Sequence, residues 1–94
     1  MTSVRTLRIA ITGRVQGVAF RDWMRTEAQA LGLGGWVRNR HDGSVEAVIS
    51  GEPGRVADLL ARCRQGPPAA RVEEIVVLSE DDASCTGFAI RPTA

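Results

Sequence analysis

Leu7, Ile9 and Ile11 alternate with Arg8, Ala10 and Thr12, the two-residue period of a strand with one buried face, which predicts a strand over 5–12. The period then changes. Phe20, Trp23, Met24, Ala28 and Leu31 fall on one helical face, with Arg21, Arg25 and Gln29 largely elsewhere, and G-L-G-G at 32–35 stops the helix. Residues 36–39 and 44–50 read as strands joined by R-H-D-G, in which Asp42-Gly43 is a strong hairpin signal. A second helix follows Pro53, its apolar stripe made by Val56, Leu59, Leu60 and Cys63, and Gly66-Pro67-Pro68 closes it. The apolar stretch 71–78 and the segment 86–91, with Phe88 and Ile90 on one face, complete the strands. The order βαββαβ plus a short terminal strand predicts an α+β fold: a ferredoxin-like two-layer sandwich whose antiparallel sheet carries both helices on one face.

Composition narrows what such a fold can do. A chain of 94 residues is long enough for one domain, expected over 1–94, and too short for two. Hydrophobic residues make up 44% and charged residues 24%, an ordinary globular balance. No apolar run approaches a membrane span, and M-T-S-V-R-T-L-R lacks the apolar stretch of a signal peptide, so a cytoplasmic location with no membrane partner is the expectation, and a monomer is expected as well. The net charge of +1 supplies no general field for nucleic acid. All basic side chains are arginines, which excludes a Schiff-base lysine and the lysine of a P-loop. Cys63 and Cys85 stand far apart outside any metal-binding spacing and are expected to be reduced, Cys63 in the core. His41 is the only histidine, so a multi-histidine metal site is impossible, and neither metal nor cofactor is expected.

Two stretches could carry chemistry. R-V-Q-G-V-A at 14–19 joins the first strand to the first helix, where it could turn successive amides inward as an anion-binding nest. Arg21 follows in the first helical turn. A cation there is ordinarily unfavourable by about 0.3–1 kcal/mol, unless its guanidinium closes a fork around an anion. The same residues also suit a plain loop with a solvated arginine. The second stretch is G-G-W-V-R-N-R-H-D-G-S-V-E at 34–46. Asn39, the only asparagine, suits turn chemistry as well as ligand contact. Trp36 is expected in the core, His41 as an exposed turn residue and Asp42 as a turn former.

Taken together, G-R-V-Q-G-V-A-F-R at 13–21, G-W-V-R-N-R-H-D-G-S-V-E at 35–46, G-P-P-A-A-R-V-E at 66–73 and the closing G-F-A-I-R resemble the acylphosphatases over nearly the whole chain. The resemblance implies the same two-layer sandwich and hydrolysis of the carboxyl-phosphate bond of small acyl phosphates to carboxylate and inorganic phosphate, without metal. It further implies that the backbone of Val15, Gln16, Gly17, Val18, Ala19 and Phe20 cradles phosphate, that Arg21 binds it, and that Asn39 positions a water whose proton passes to the substrate's own phosphate. Inorganic phosphate is then both product and inhibitor. Two departures stand out: Ala19, where glycine or a bulky residue is frequent, and Asp22, which sets a carboxylate beside Arg21.

The chemistry is self-consistent. An acyl phosphate expels a carboxylate of pKa about 4 and needs no general acid, which leaves positioning and charge stabilisation. An alternative is a non-catalytic module of the same fold that binds carbamoyl phosphate or another small anion. An RNA-binding sheet would need aromatics exposed on its central strands, and this chain has only four aromatic residues.

Overall fold

The alternation seen at the start of the chain continues in the central strands of one sheet. The computed structural model describes residues 3–94, so the first two residues of the domain expected over 1–94 lie outside the described ones. In chain order come β1 (Arg5–Arg14), α1 (Phe20–Ala30), β2 (Gly34–Asn39), β3 (Val45–Gly51), α2 (Pro53–Cys63), β4 (Arg71–Asp81) and β5 (Phe88–Ile90). Leu7, Ile9 and Ile11 of β1, Val37 of β2, and Val45, Ala47 and Ile49 of β3 bury one face of the sheet. Onto that face α1 lays Phe20, Met24 and Ala28, and α2 lays Val56, Leu59 and Cys63. Burying each large aliphatic or aromatic side chain contributes about 1.5–3 kcal/mol. Burial also pushes the Cys63 thiol up to about 12, with the charge of Glu27 adding to it, so this thiol packs as a small hydrophobe.

The sheet order is β4-β1-β3-β2-β5. Neighbours are antiparallel except at one edge, where β5 runs parallel to β2. This corrects the all-antiparallel expectation, and the register supplies the reason. Asp81 at the end of β4 pairs with Thr6, Thr6 with Ser50, and Ser50 with Gly34 at the start of β2. The chain therefore leaves β4 at the end of the sheet where β2 begins. It crosses there through residues 82–87, so β5 can only run alongside β2 in the same direction. Two buried hydroxyls hold the crossing: Thr6 donates to Ala83 O, and Ser50 Oγ accepts from Cys85 N at 3.1 Å. Gly34 lets it pass, since a Cβ there would lie 2.0 Å from Cys85 O.

β4 has only β1 as a neighbour, and its ladder is interrupted twice. Arg8 pairs with Ser79 but Ile9 with Val77, and Thr12 pairs with Glu74 but Gly13 with Val72, leaving Leu78 and Glu73 as extra residues on β4.

Trp36 is not a core residue. Strand alternation gives the inward positions of β2 to Gly35, Val37 and Asn39, so Trp36 and Arg38 face the helix-free side. There the Trp36 ring lies under Arg91, Arg38 and Arg8, whose guanidinium carbons stand 4.5, 4.8 and 5.7 Å from its centroid.

Candidate active site at the N-terminus of the first helix

Between β1 and α1 the chain alternates buried and exposed residues. Val15, Val18 and Phe20 are inserted in the core, while Gly17 and Ala19 are exposed. Gly17 at φ 71° and Ala19 at φ 62°, ψ 27° are both left-handed. Ala19 carries a Cβ in a region that costs an L-residue about 1–2 kcal/mol. With three apolar side chains turned inward, the backbone of the loop is left at the surface. Among the described residues, no amide from Val15 to Ala19 donates a backbone hydrogen bond. The helix continues this pattern. Its N-cap, Ala19, makes no side-chain cap, and its first backbone bond runs from Trp23 N to Ala19 O. Consecutive free amides thus meet the positive pole of α1.

Arg21 sits in the first turn, half-buried, and forms no ion pair among the described residues. The carboxylate of Asp22 accepts from Arg25 at 3.1 Å.

Asn39 ends β2 opposite Val45, on the helix-facing side of the sheet. Its side chain makes no turn hydrogen bond; Asp42 does that work, accepting from Ser44 N at 2.9 Å and from Ser44 Oγ at 2.6 Å. These bonds hold the exposed Asp42 carboxyl below its ordinary range. His41 is exposed in the same turn, with its amide donating to Ala94 O. Asn39 Oδ1, in contrast, is fully buried and has no hydrogen-bond partner, alone in this among the buried side-chain polar atoms of the described residues. Leaving such an acceptor empty costs about 1–3 kcal/mol, and a water or a ligand N–H would relieve that.

One contact of the loop was not visible in the sequence. The side-chain amide of Gln16 points away from the loop and donates to Arg40 O at 2.7 Å and Ser44 O at 2.9 Å, the two ends of the hairpin turn. Only the Gln16 backbone is left for an anion.

The chain matches the acylphosphatase family model over residues 7–90. An acylphosphatase of Rhizorhabdus wittichii is 52% identical over 86 residues, covering 92% of this chain and 87% of the relative. This chain belongs to the acylphosphatase family. The crystal structure of the acylphosphatase from Bacillus subtilis superposes with a TM-score of 0.88 at 35% identity, covering 93% of this chain and 98% of that one. Full-length HypF in its phosphate- and nucleotide-bound form also matches, with a TM-score of 0.88 at 26% identity, over 99% of this chain but 12% of its own.

Other features of this acylphosphatase lie elsewhere. A depression lined by Val4, Arg5, Pro53, Glu80, Asp81 and Asp82 sits at the far end of β1, and its three carboxylates suit no phosphate. On the helix-free face, Glu46 is 4% exposed and accepts from Arg8 and Arg38 at 2.7 Å each and from Arg40 at 3.2 Å. Burial pushes its carboxyl up, but the hydrogen bonds and charges of Arg38 and Arg8 outweigh that and hold it below the ordinary glutamate range.

Proposed function

We propose that residues 1–94 act as a single acylphosphatase domain whose phosphate site is the loop from Val15 to Phe20 together with Arg21, and whose attacking water is held by Asn39. As an acylphosphatase the chain hydrolyses small acyl phosphates. The assignment of these residues is carried by one observation: a buried, unpartnered Asn39 Oδ1 on the side of the sheet that bears the helices, in a fold that also leaves a run of loop amides without backbone partners.

In this reading the free amides and the Arg21 fork bind the equatorial phosphate oxygens and stabilise the charge that grows on them during transfer. Turned so that Oδ1 leaves its buried, unpartnered position, the Asn39 amide accepts a hydrogen bond from the water and directs its lone pair along the line of attack. An amide oxygen is too weak a base to take the proton, which passes to the phosphate itself. The P–O bond to the acyl oxygen breaks with its electron pair on the departing carboxylate, which at pKa about 4 leaves without a proton. No metal has a step to perform. Inorganic phosphate fills the same cradle and inhibits competitively. The domain works as a monomer, and its unpaired Cys63 and Cys85 suit a reducing cytoplasm.

The test separates binding from chemistry. Arg21→Ala is expected to abolish both benzoyl phosphate turnover and phosphate binding while circular dichroism shows a folded domain, and Arg21→Lys to recover little, because a point charge cannot replace the fork. Asn39→Ala is expected to lower kcat by about 100-fold or more with the phosphate Ki nearly unchanged. Normal phosphate affinity in Arg21→Ala, or full activity in Asn39→Ala, would refute the assignment. Phosphate binding by a wild-type domain that releases none from benzoyl phosphate would instead favour an anion-binding module.

A further inference from the structure

We infer that Gln16 is a positioning residue that sets the distance between the phosphate cradle and the water held by Asn39. The inference rests on the roles given above to the loop and to Asn39.

The two parts of the site belong to different pieces of the fold. The cradle is a loop fixed by its apolar side chains, Val15, Val18 and Phe20. Asn39 belongs to the β2–β3 hairpin. Among the described residues, the hydrogen bonds of the Gln16 side chain are the only ones joining residues 15–19 to that hairpin. Their placement matters. Arg40 O and Ser44 O close the hairpin turn, in which Arg40 N donates to Ser44 O at 2.9 Å and Gly43 N to Arg40 O at 3.1 Å. The next rung below is the Asn39–Val45 pair. Gln16 therefore grips the hairpin one residue from the proposed water ligand.

The chemistry of the grip makes it specific to an amide donor. Nε2 has two N–H groups, and both are spent on carbonyls that can only accept, which also fixes which end of the side chain is nitrogen. Glutamate, of the same shape, would set a negative oxygen against the two carbonyls. Methionine would fill the space and bond neither. In-line attack tolerates little error: a displacement of about 1 Å can cost about 100-fold in rate. Phosphate itself is bound through the Gln16 backbone and its neighbours, so losing the side chain should not empty the cradle.

The experiment is a double-mutant cycle on benzoyl phosphate, with Ki for inorganic phosphate measured alongside. Gln16→Met is expected to lower kcat about 10-fold or more while Ki changes less than about 3-fold. Gln16→Glu should lower kcat further and supplies a second variant if Gln16→Met unfolds. In the Asn39→Ala background, Gln16→Met should have no further effect on kcat, since there is no held water left to misplace. Three results would overturn the inference: an unchanged kcat, a loss of phosphate affinity equal to the loss of rate, or losses that multiply in the double variant. If Asn39→Ala alone left kcat intact, the assignment of Asn39 would fail first, a result distinct from each of these.

Discussion

Ala19 is the one non-glycine residue at positive φ among those described, and it is the N-cap of the helix that carries Arg21. Strain of this kind survives where neighbours enforce it, and here Val18 and Phe20 on either side are locked in the core. Ala19→Gly removes the Cβ clash at the price of a more flexible unfolded chain. The balance is a gain of up to about 1 kcal/mol, read as a Tm raised by a few degrees, with benzoyl phosphate turnover kept. An unchanged or lowered Tm would mean that the loop relaxes without help. The same residue scale shows where sequence reading stopped. Arg21 stood out as a candidate because a cation in a first helical turn is an anomaly to be explained. Asn39 was not decided, since an asparagine beside a turn suits the turn equally well. The placement of Asp42 on Ser44 and the unpartnered Asn39 Oδ1 support the ligand role proposed for it. The side-chain direction of Gln16 left no mark in the sequence at all.

At the scale of elements, α1 lacks the side-chain cap that ordinarily contributes about 1 kcal/mol to a helix. It is held instead by its buried face and by the edge-to-face contact of Phe20 with Trp23, ring centroids 5.4 Å apart. A bound anion would act as the missing cap. Inorganic phosphate at one hundred times its Kd is therefore expected to stabilise the domain by about 2.7 kcal/mol, and this gain should vanish in Arg21→Ala. A Tm indifferent to phosphate, or a rise retained without Arg21, would place the anion elsewhere. Element types were readable from period alone, because β1, α1, β3 and α2 each gather their buried apolar residues on one face. What period could not supply was the choice of face where two apolar residues adjoin, as at Trp36-Val37. Nor could it give the direction of β5, which depends on the end of the sheet at which β4 stops.

For the molecule as a whole, the two faces of the sheet do different work. The helix-free face is fastened by Glu46 and its arginines. The folded carboxyl titrates below its ordinary value of 4.5, so its stabilisation is complete above that pH and is lost as pH falls through the lower folded value. Glu46→Gln should cost about 2 kcal/mol at pH 7, and the gap to the wild type should narrow as pH falls through the lowered folded value of the carboxyl. Urea midpoints measured across an acid series follow this; a gap that stays constant would show that the charge of Glu46 contributes nothing. The site proposed on the other face bears on the substrate range. An alkyl phosphate expels an alkoxide that must be protonated or held by a metal, and the proposed site offers neither. The kcat/KM for benzoyl phosphate should exceed that for a simple alkyl phosphate by orders of magnitude and should survive EDTA. Comparable values, or inactivation by the chelator, would reveal an acid or a metal at the leaving oxygen.

The two extra residues on β4 bear on how readily its open edge could pair with another strand. β4 is an outermost strand with Val76, Val77 and Leu78 at 40, 50 and 52% exposure, a sticky border that another chain could extend. An incoming strand needs an evenly spaced row of donors and acceptors. Leu78 and Glu73 each throw that row out of step, and the stretch of undisturbed spacing between them is four residues, Glu74 to Val77. A border broken at such short intervals gives a would-be partner few consecutive bonds to hold, so the interruptions weaken the strand pairing that the apolar side chains alone would invite.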